Sequence, residues 1–404
     1  MRIIQINMYD SGSTGNIMKN IANLVRQKSG CALTCSARVF TKPRKTFPSA
    51  PQGHIYFGNY YENALHYILA QFTGLNGAFS HFGTAKLIRQ CKKFKPDIIH
   101  LHNLHAFCIN LPMLFRYIKK HKIPVVWTFH DCWAFTGHCP HFVMVNCDKW
   151  ETECHDCPQL SVYPKSHVDN TRVSHRLKKK WFLGVDNLTV VTPSEWLAGL
   201  VRKSFLGEYT VKVINNGINL DVFKPTESDF RGKNGLLGKK ILLGVSSGWD
   251  KRKGLDVFVE LSKRLDDEYR IVLVGSNPLK NELSSNVISI DRTENQKELA
   301  EIYTAADLFV NPTREENYPT VNMESIACGT PVLTFKTGGS PEISDDSCGM
   351  VVDVDDIDSM EREIKRICEQ SPYNKENCLE RAKNFDMNGR FEEYIELYKE
   401  VLYQ

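Results

Sequence analysis

Ala306-Asp307-Leu308-Phe309-Val310-Asn311-Pro312-Thr313-Arg314-Glu315-Glu316-Asn317-Tyr318-Pro319-Thr320-Val321-Asn322-Met323-Glu324 is the stretch from which the rest of the chain can be read. Ala306 to Val310 has the apolar character of a buried strand. Pro312 and Pro319 keep the following residues extended, and Thr320 can cap a helix that carries Glu324 on its second turn. Glu316 and Glu324 then stand on either side of a helix N-terminus. Unpaired backbone N–H groups and the helix dipole favour an anion there, and carboxylates accept hydrogen bonds from hydroxyls. Ribose, diphosphate and hexose in a row would fit this layout. For the pair taken alone, a solvated acidic loop and a surface helix is the competing account.

The residues downstream favour the first account. Ser325-Ile326-Ala327-Cys328-Gly329-Thr330-Pro331-Val332-Leu333-Thr334 reads as a helix ended by Gly329 and a buried strand opened by Pro331. Thr337-Gly338-Gly339-Ser340-Pro341-Glu342-Ile343 follows, a loop whose paired glycines let the backbone approach a ligand. From Glu316 to Glu342 the chain resembles the donor-binding signature of the retaining GT-B glycosyltransferases that carry the E-x7-E motif, the group 1 transferases of bacterial polysaccharide synthesis. The resemblance implies that Glu316 holds hydroxyls of the transferred sugar and Glu324 the ribose, with Asn317, Tyr318, Pro319 and Thr320 also binding the donor.

The likeness covers most of the chain. Val213 to Pro225, with its Asn216-Gly217 turn signal, is similar to the segment that leaves the N-terminal domain and enters the linker. Ile241 to Gly254 is similar to the first strand of the second domain and its loop, which puts the phosphate-binding lysine at Lys253. Where the family commonly has an arginine ahead of that lysine, this chain has Ser247, so Arg252 or Lys251 is left to supply the second cation. Without the resemblance, Lys251 to Lys253 reads equally as a solvated basic turn.

A chain of 404 residues suggests two domains, and 42% hydrophobic with 24% charged residues is the composition of a soluble globular protein. Strands are expected over Arg2–Asn7, Asp97–His102, Val125–Phe129, Leu188–Thr192, Ile241–Val245, Ile271–Val274, Leu308–Asn311 and Val332–Phe335, alternating with amphipathic helices. Such alternation predicts an α/β chain of two Rossmann-like, doubly wound parallel sheets, with ligands at the carboxyl ends of the strands. The resemblance makes this a GT-B arrangement facing a cleft: an acceptor domain over 1–225 with a Cys-rich loop at 138–158, a donor domain over 226–388, and a helix at 389–404 that crosses back.

The net charge of +4 conceals an asymmetry. Residues 1–225 hold 28 Lys+Arg against 13 Asp+Glu, and the remainder holds 23 against 34. Basic stretches include Lys42-Pro43-Arg44-Lys45, Lys92-Lys93-Phe94-Lys95, Lys119-Lys120-His121-Lys122 and Arg176 to Lys180, followed by Trp181-Phe182. A basic face with aromatic anchors points to an anionic membrane surface, at about 1 kcal/mol per basic residue held near it. Solvated helix faces are the plainer explanation. Nucleic acid is not expected as a partner, because no nucleic-acid-binding module accompanies the charge. Met1-Arg2 leads directly into a strand without a secretory signal, and no apolar run reaches the ~18 residues of a membrane span. A cytoplasmic location, peripheral to the inner membrane face, is therefore expected.

Nine of the 13 cysteines fall in predicted core segments, where small buried thiols are common. The other four, Cys139, Cys147, Cys154 and Cys157, are grouped among three histidines and end in a C-x2-C pair. Four thiolates so spaced can surround a structural zinc ion. Disulfides and unligated thiols remain open alternatives.

Just before this cluster, Thr128-Phe129-His130-Asp131 closes a strand. The resemblance places His130 beside the donor sugar, although a strand-end histidine is often only structural. Asp97 to Asn103 supplies His100 and His102 for the acceptor side. Asp10 to Asn16 joins the first strand to the first helix, and Gly15 is its candidate for close approach to phosphate. Asp353-Val354-Asp355 imitates a metal-binding D-x-D, but Asp355-Asp356 fit better as a cap for a helix starting near Ile357.

The activity expected is retaining, metal-independent transfer of a sugar from a UDP- or GDP-sugar to a glycan or lipid-linked oligosaccharide in surface polysaccharide synthesis. His130, Lys253 and Glu316 are its catalytic candidates. Zinc is the one cofactor considered, and only as a structural ion. A catalytically inactive donor-binding subunit, a sugar-nucleotide epimerase and a zinc-dependent nucleic-acid binder are the rival classes.

Overall fold

The apolar runs become strands of two parallel sheets in the computed structural model, which describes residues 1–28, 30–37, 50–280 and 282–403. Two compact units result, Met1–Ile214 with Phe391–Gln404, and Asn215–Arg390. The basic stretch Lys42 to Lys45 lies outside the described residues.

The first unit contains β1 (Arg2–Asn7), α1 (Gly12–Lys28), β2 (Cys31–Ala37), β3 (His54–Phe57), α2 (Tyr60–Thr73), α3 (His81–Phe94), β4 (Ile98–Leu101), α4 (Leu111–His121), β5 (Val125–Thr128), α5 (Thr171–Phe182), β6 (Leu188–Thr192), α6 (Glu195–Lys203) and β7 (Thr210–Val213). Its strand order is β3-β2-β1-β4-β5-β6-β7, all parallel. The central strands β4, β5 and β6 are buried along their whole length, which is why they read as unbroken apolar runs.

The second unit contains α7 (Phe230–Lys233), β8 (Lys240–Gly248), α8 (Leu255–Arg264), β9 (Tyr269–Ser276), β10 (Val287–Ile290), α9 (Gln296–Ala305), β11 (Leu308–Asn311), α10 (Thr320–Ala327), β12 (Val332–Phe335), β13 (Gly349–Val352), α11 (Ile357–Gln370) and α12 (Lys375–Ala382). Its order is β10-β9-β8-β11-β12-β13, again parallel. The strand order reverses between β1 and β4 in the first unit and between β8 and β11 in the second. At such switch points the connecting loops part and leave a crevice at the carboxyl ends of the strands. A final helix, α13 (Met387–Tyr403), belongs to the first unit from Phe391 onward. There the Tyr398 hydroxyl is 2.6 Å from His100 Nδ1 and the Tyr394 hydroxyl 3.1 Å from Thr128 Oγ1.

Several details differ from expectation. The second unit starts at Asn215 rather than beyond Pro225, because Ile218 and Phe223 are buried in its core and the Ile218 N–H donates to Phe385. A side chain at Gly217 would come within 2.3 Å of the Met387 backbone, so this glycine serves close packing. Of the nine scattered cysteines, Cys31 is exposed and the others are buried.

Trp181-Phe182 also cannot serve as a membrane anchor. Phe182 is fully buried, with its ring 4.7 Å from Phe115 and 4.9 Å from Trp127, and Trp181 packs against the same core. The last turn of α5 directs these residues inward, while Arg176, Lys179 and Lys180 face solvent. Phe182→Ala should cost about 3–5 kcal/mol. Scanning calorimetry should show the first unit's transition falling and the second unit's unmoved, whereas unchanged transitions would mean that Phe182 is not in the core.

Candidate functional site

Lys253 and Glu316 come from the two loops that flank the β8/β11 switch point. Lys253 Nζ donates to Glu316 Oε2 at 2.5 Å, and both side chains keep about a fifth of their surface exposed. The second carboxylate oxygen accepts from the Asn317 N–H at 3.1 Å. Behind Glu316 stands the Gly338-Gly339 turn. Gly338 is left-handed (φ 53°), and a Cβ there would fall 1.7 Å from the Glu316 carbonyl oxygen. The Gly339 N–H donates to the Asn317 carbonyl. The paired glycines thus press the turn against the Glu316 loop.

The two loops are fastened by Arg314, a residue that sequence reading passed over. Its guanidinium is 9% exposed and forks onto Asp256 at 2.8 and 2.9 Å, reaches Asp355 at 2.7 Å, and donates to the Lys251 carbonyl. The Arg314 N–H binds the Arg252 carbonyl as well. Burial alone would lower the Arg314 pKa, but the two carboxylates outweigh it and raise the pKa. Gly254 completes the junction: it is left-handed (φ 78°) and passes so close to Pro312 that a Cβ would stand 2.3 Å from its carbonyl oxygen. Arg252 is half-buried with its head 4.0 Å from Asp250, and Ser247 is exposed at the end of β8.

Thr320 is the first residue of α10 rather than its cap. Pro319 occupies the cap position with extended backbone and no side-chain bond. Glu324 accepts from the Tyr303 hydroxyl at 3.1 Å and from Thr320. Burial raises its pKa to about 7, with the two hydrogen bonds acting in the opposite sense. Tyr318 and Pro319 are buried, Tyr318 within the apolar core, so they support the loop from behind. Asp356 caps α11 by accepting from the Ser359 N–H, whereas Asp355 turns to Arg314.

In the first unit, His130 follows β5, close to the β1/β4 switch point. Its Nε2 lies 3.2 Å from His102 Nδ1, and the two rings stack with centroids 5.5 Å apart. Burial lowers the His130 pKa to about 4 despite the neighbouring Asp131 charge, so the ring is neutral at pH 7. Asp131 also holds the surrounding loops. Its Oδ2 receives His105 at 2.9 Å and Asn103 at 3.1 Å, and its Oδ1 receives the Trp133 N–H. Burial works to raise the Asp131 pKa, yet His105 and the hydrogen bonds prevail and bring it to about 2. Gly15 also has a packing role. It lies in the first turn of α1, and a Cβ would collide with the Asp10 backbone at 2.6 Å, so its bareness accommodates the chain itself.

Cys139, Cys147, Cys154 and Cys157 line one small recess in the segment between β5 and α5. Among the described residues, no three His, Cys, Asp or Glu side chains are grouped as a metal shell.

Arg314→Met should release both loops while keeping the volume. Loss of the partly exposed ion pairs should lower stability by about 2 kcal/mol, or roughly 4–8 °C in the second unit's melting temperature. Nucleotide-sugar binding should weaken in parallel in titration calorimetry. Unchanged melting and binding would show that the clamp positions nothing.

Comparison with known proteins gives matches over both units. Residues 226–390 match the family described as "Glycosyl transferases group 1", and residues 61–222 match "Glycosyltransferase Family 4". The putative colanic acid biosynthesis glycosyl transferase WcaC of Escherichia coli K12 is 26% identical over 272 residues, which is 65% of this chain and 65% of that protein, just under two thirds of its length. In fold, the chain is similar to sucrose-phosphate synthase from Thermosynechococcus elongatus, with a TM-score of 0.73 at 17% identity over 99% of this chain and 98% of that one. It is also similar to Anabaena HepE in complex with UDP, with a TM-score of 0.66 at 16% identity over 99% and 100%. With its two doubly wound parallel sheets and these structural neighbours, the chain has the GT-B fold, and its two halves match two glycosyltransferase family models in turn.

Proposed function

We propose that the chain transfers a sugar, with retention of configuration, from a nucleotide diphosphate donor to a hydroxyl of a glycan or lipid-linked oligosaccharide in surface polysaccharide synthesis. The observation that carries this reading is the Lys253–Glu316 pair at the β8/β11 switch point. A diphosphate entering there competes with Glu316 for Lys253. Once released, the Glu316 carboxylate can accept hydrogen bonds from sugar hydroxyls, while Lys253 and Arg252 stabilise the charge that grows on the departing diphosphate. Two fixed cations meet that need without a metal. The N-terminal amides of α10 add partial positive charge. Same-face attack with the diphosphate oxygen taking the proton is the mechanism assigned. His130, neutral at pH 7, is limited to hydrogen bonding.

Glu324, with a pKa of about 7, gives the site a pH dependence. As the carboxylate it accepts two ribose hydroxyls; protonated, it has to spend one oxygen as a donor. Donor affinity should therefore rise roughly tenfold from pH 6 to pH 8 and become flat in Glu324→Gln. Stability of the free protein runs the other way. The folded pKa lies above the ordinary 4.5, so the native state holds the extra proton in that window and loses stability as pH rises through it. Titration calorimetry at three pH values, with the nucleotide sugar that gives the largest thermal shift, checks this; a pH-independent wild type contradicts it.

For turnover, Lys253→Ala and Glu316→Gln should each lower kcat/KM by a factor of roughly 100 or more, or about 2.7 kcal/mol. Full activity in both variants would refute the assignment. Donor binding without turnover would make the chain a donor-binding subunit, and donor conversion without an acceptor would make it an epimerase.

We further assign the acceptor to an anionic membrane surface. No helix among the described residues is long and apolar enough to cross a membrane. On α2, however, Tyr61, Leu65, Ile68 and Phe72 form one exposed stripe at helical spacing, with 74, 56, 50 and 65% of their surface free. Glu62 receives the Phe82 and Gly83 N–H groups and so sets Phe82, 82% exposed, near the start of that stripe. This apolar face lies in the basic half of the chain. Ile68→Asp with Phe72→Asp should reduce flotation with anionic vesicles tenfold or more and leave the melting temperature within about 1 °C. Undiminished flotation would remove α2 from the membrane-binding surface.

A further inference from the structure

The segment between β5 and α5 runs from Phe129 to Asn170 with no helix or strand beyond two single 3₁₀ turns, Trp133–Phe135 and Lys149–Glu151. Structureless loops of such length are uncommon in compact domains and need something to hold them. Apolar packing does part of this: Trp133, Phe135, Phe142 and Trp150 are buried. Around them, four polar observations converge on one place.

Cys139, Cys147, Cys154 and Cys157 line a recess of about 10 Å³, too small for an organic ligand. The Gly137 N–H donates to Cys154 Sγ at 3.1 Å, and the Cys139 and Cys157 thiols are hydrogen-bonded to each other. His138, 5% exposed, lines the same recess and leaves Nε2 without a hydrogen-bond partner. Lys178 is fully buried beside this segment. Its Nζ donates to the Trp133 and Thr136 carbonyls and lies 3.4 Å from the Trp133 ring centroid, yet among the described residues no carboxylate stands within ion-pair distance. A buried ammonium without an anion is costly, and a buried imidazole nitrogen without a partner is too.

We propose that Cys139, Cys147, Cys154 and Cys157 bind one structural zinc ion. Binding releases four protons as the thiols become thiolates, and the resulting Zn(Cys)₄ centre carries a charge of −2. Lys178 then has its counter-charge nearby. His138 Nε2–H gains a thiolate acceptor, and the Gly137 N–H already points at one of the four sulfurs. The thiols line the recess without closing around a common centre. Loading draws in Cys147, Cys154 and Cys157, which are only half-buried and sit on backbone free of helix or strand. A catalytic metal would need an open position, and four thiolates leave none. The proposal is independent of Lys253, Glu316 and Glu324, which lie in the other unit.

The test uses the untagged full-length chain, purified with a thiol reductant and dialysed against zinc-free buffer with and without prior zinc addition. Elemental analysis should find about one zinc per chain, and thiol titration after denaturation should find all 13 cysteines reduced. Cys157→Ser should lose the metal, and the control Cys31→Ser should keep it. Because the first variant could also misfold, the wild type is melted with and without a strong zinc chelator. The first unit's transition should fall by ten degrees or more, and nucleotide-sugar binding by the second unit should remain. Substoichiometric zinc with and without addition, or a thiol count short by two or four because of disulfides, overturns the proposal. So does a chelator-insensitive melt.

Discussion

Arg314 is the interaction on which the second unit's site depends. Lys253 and Glu316 are carried by separate loops, each without helix or strand. A guanidinium solves this because its planar fork can bind several acceptors at once in fixed directions. Arg314 takes two carboxylates and a main-chain carbonyl and does so at 9% exposure. The energy of such a pair is modest after desolvation, and its value lies in geometry. The loops are held in one register at the point where β8 and β11 part.

Asp131 has the corresponding position in the first unit. It binds the residues after β4, through Asn103 and His105, to the residues after β5, through the Trp133 N–H. Both units therefore place one buried charge between the loops of neighbouring strands and tie it to polar partners on both sides. The consequence differs. In the second unit the charge holds the loops that carry a partly exposed cation–carboxylate pair. In the first it stands beside His130, which burial keeps neutral, while His100 separately reaches the Tyr398 hydroxyl of α13.

Much of the fold was legible because central parallel strands are buried on both faces. Ile98–Leu101, Val125–Thr128 and Leu308–Asn311 announce themselves as apolar runs between helices. The strands that escaped notice are the four sheet edges, His54–Phe57, Thr210–Val213, Val287–Ile290 and Gly349–Val352, and Cys31–Ala37, which is built largely from small residues. At the site, the glycines at 338 and 339 carried real information, since a loop that approaches another backbone so closely tolerates no side chain. Arg314 and Asp131 were invisible as clamps, because an isolated charge in a loop usually means solvent and only the tertiary structure reveals its partners. Trp181-Phe182 misled for the opposite reason: basic neighbours suggested a surface, and helical geometry turned the aromatics inward. The exposed face of α2 had the periodicity of any amphipathic helix, and sequence alone does not say which face is covered.

In the proposed mechanism Lys253 belongs to the donor's diphosphate rather than permanently to Glu316. Titration calorimetry of a nucleoside monophosphate and the matching nucleoside diphosphate against the wild type and Lys253→Ala measures this directly. The wild type should prefer the diphosphate by about tenfold or more, and the variant should lose most of that preference while binding the monophosphate nearly as before. An equal preference in both proteins would mean that Lys253 serves Glu316 alone, and that the diphosphate is held elsewhere.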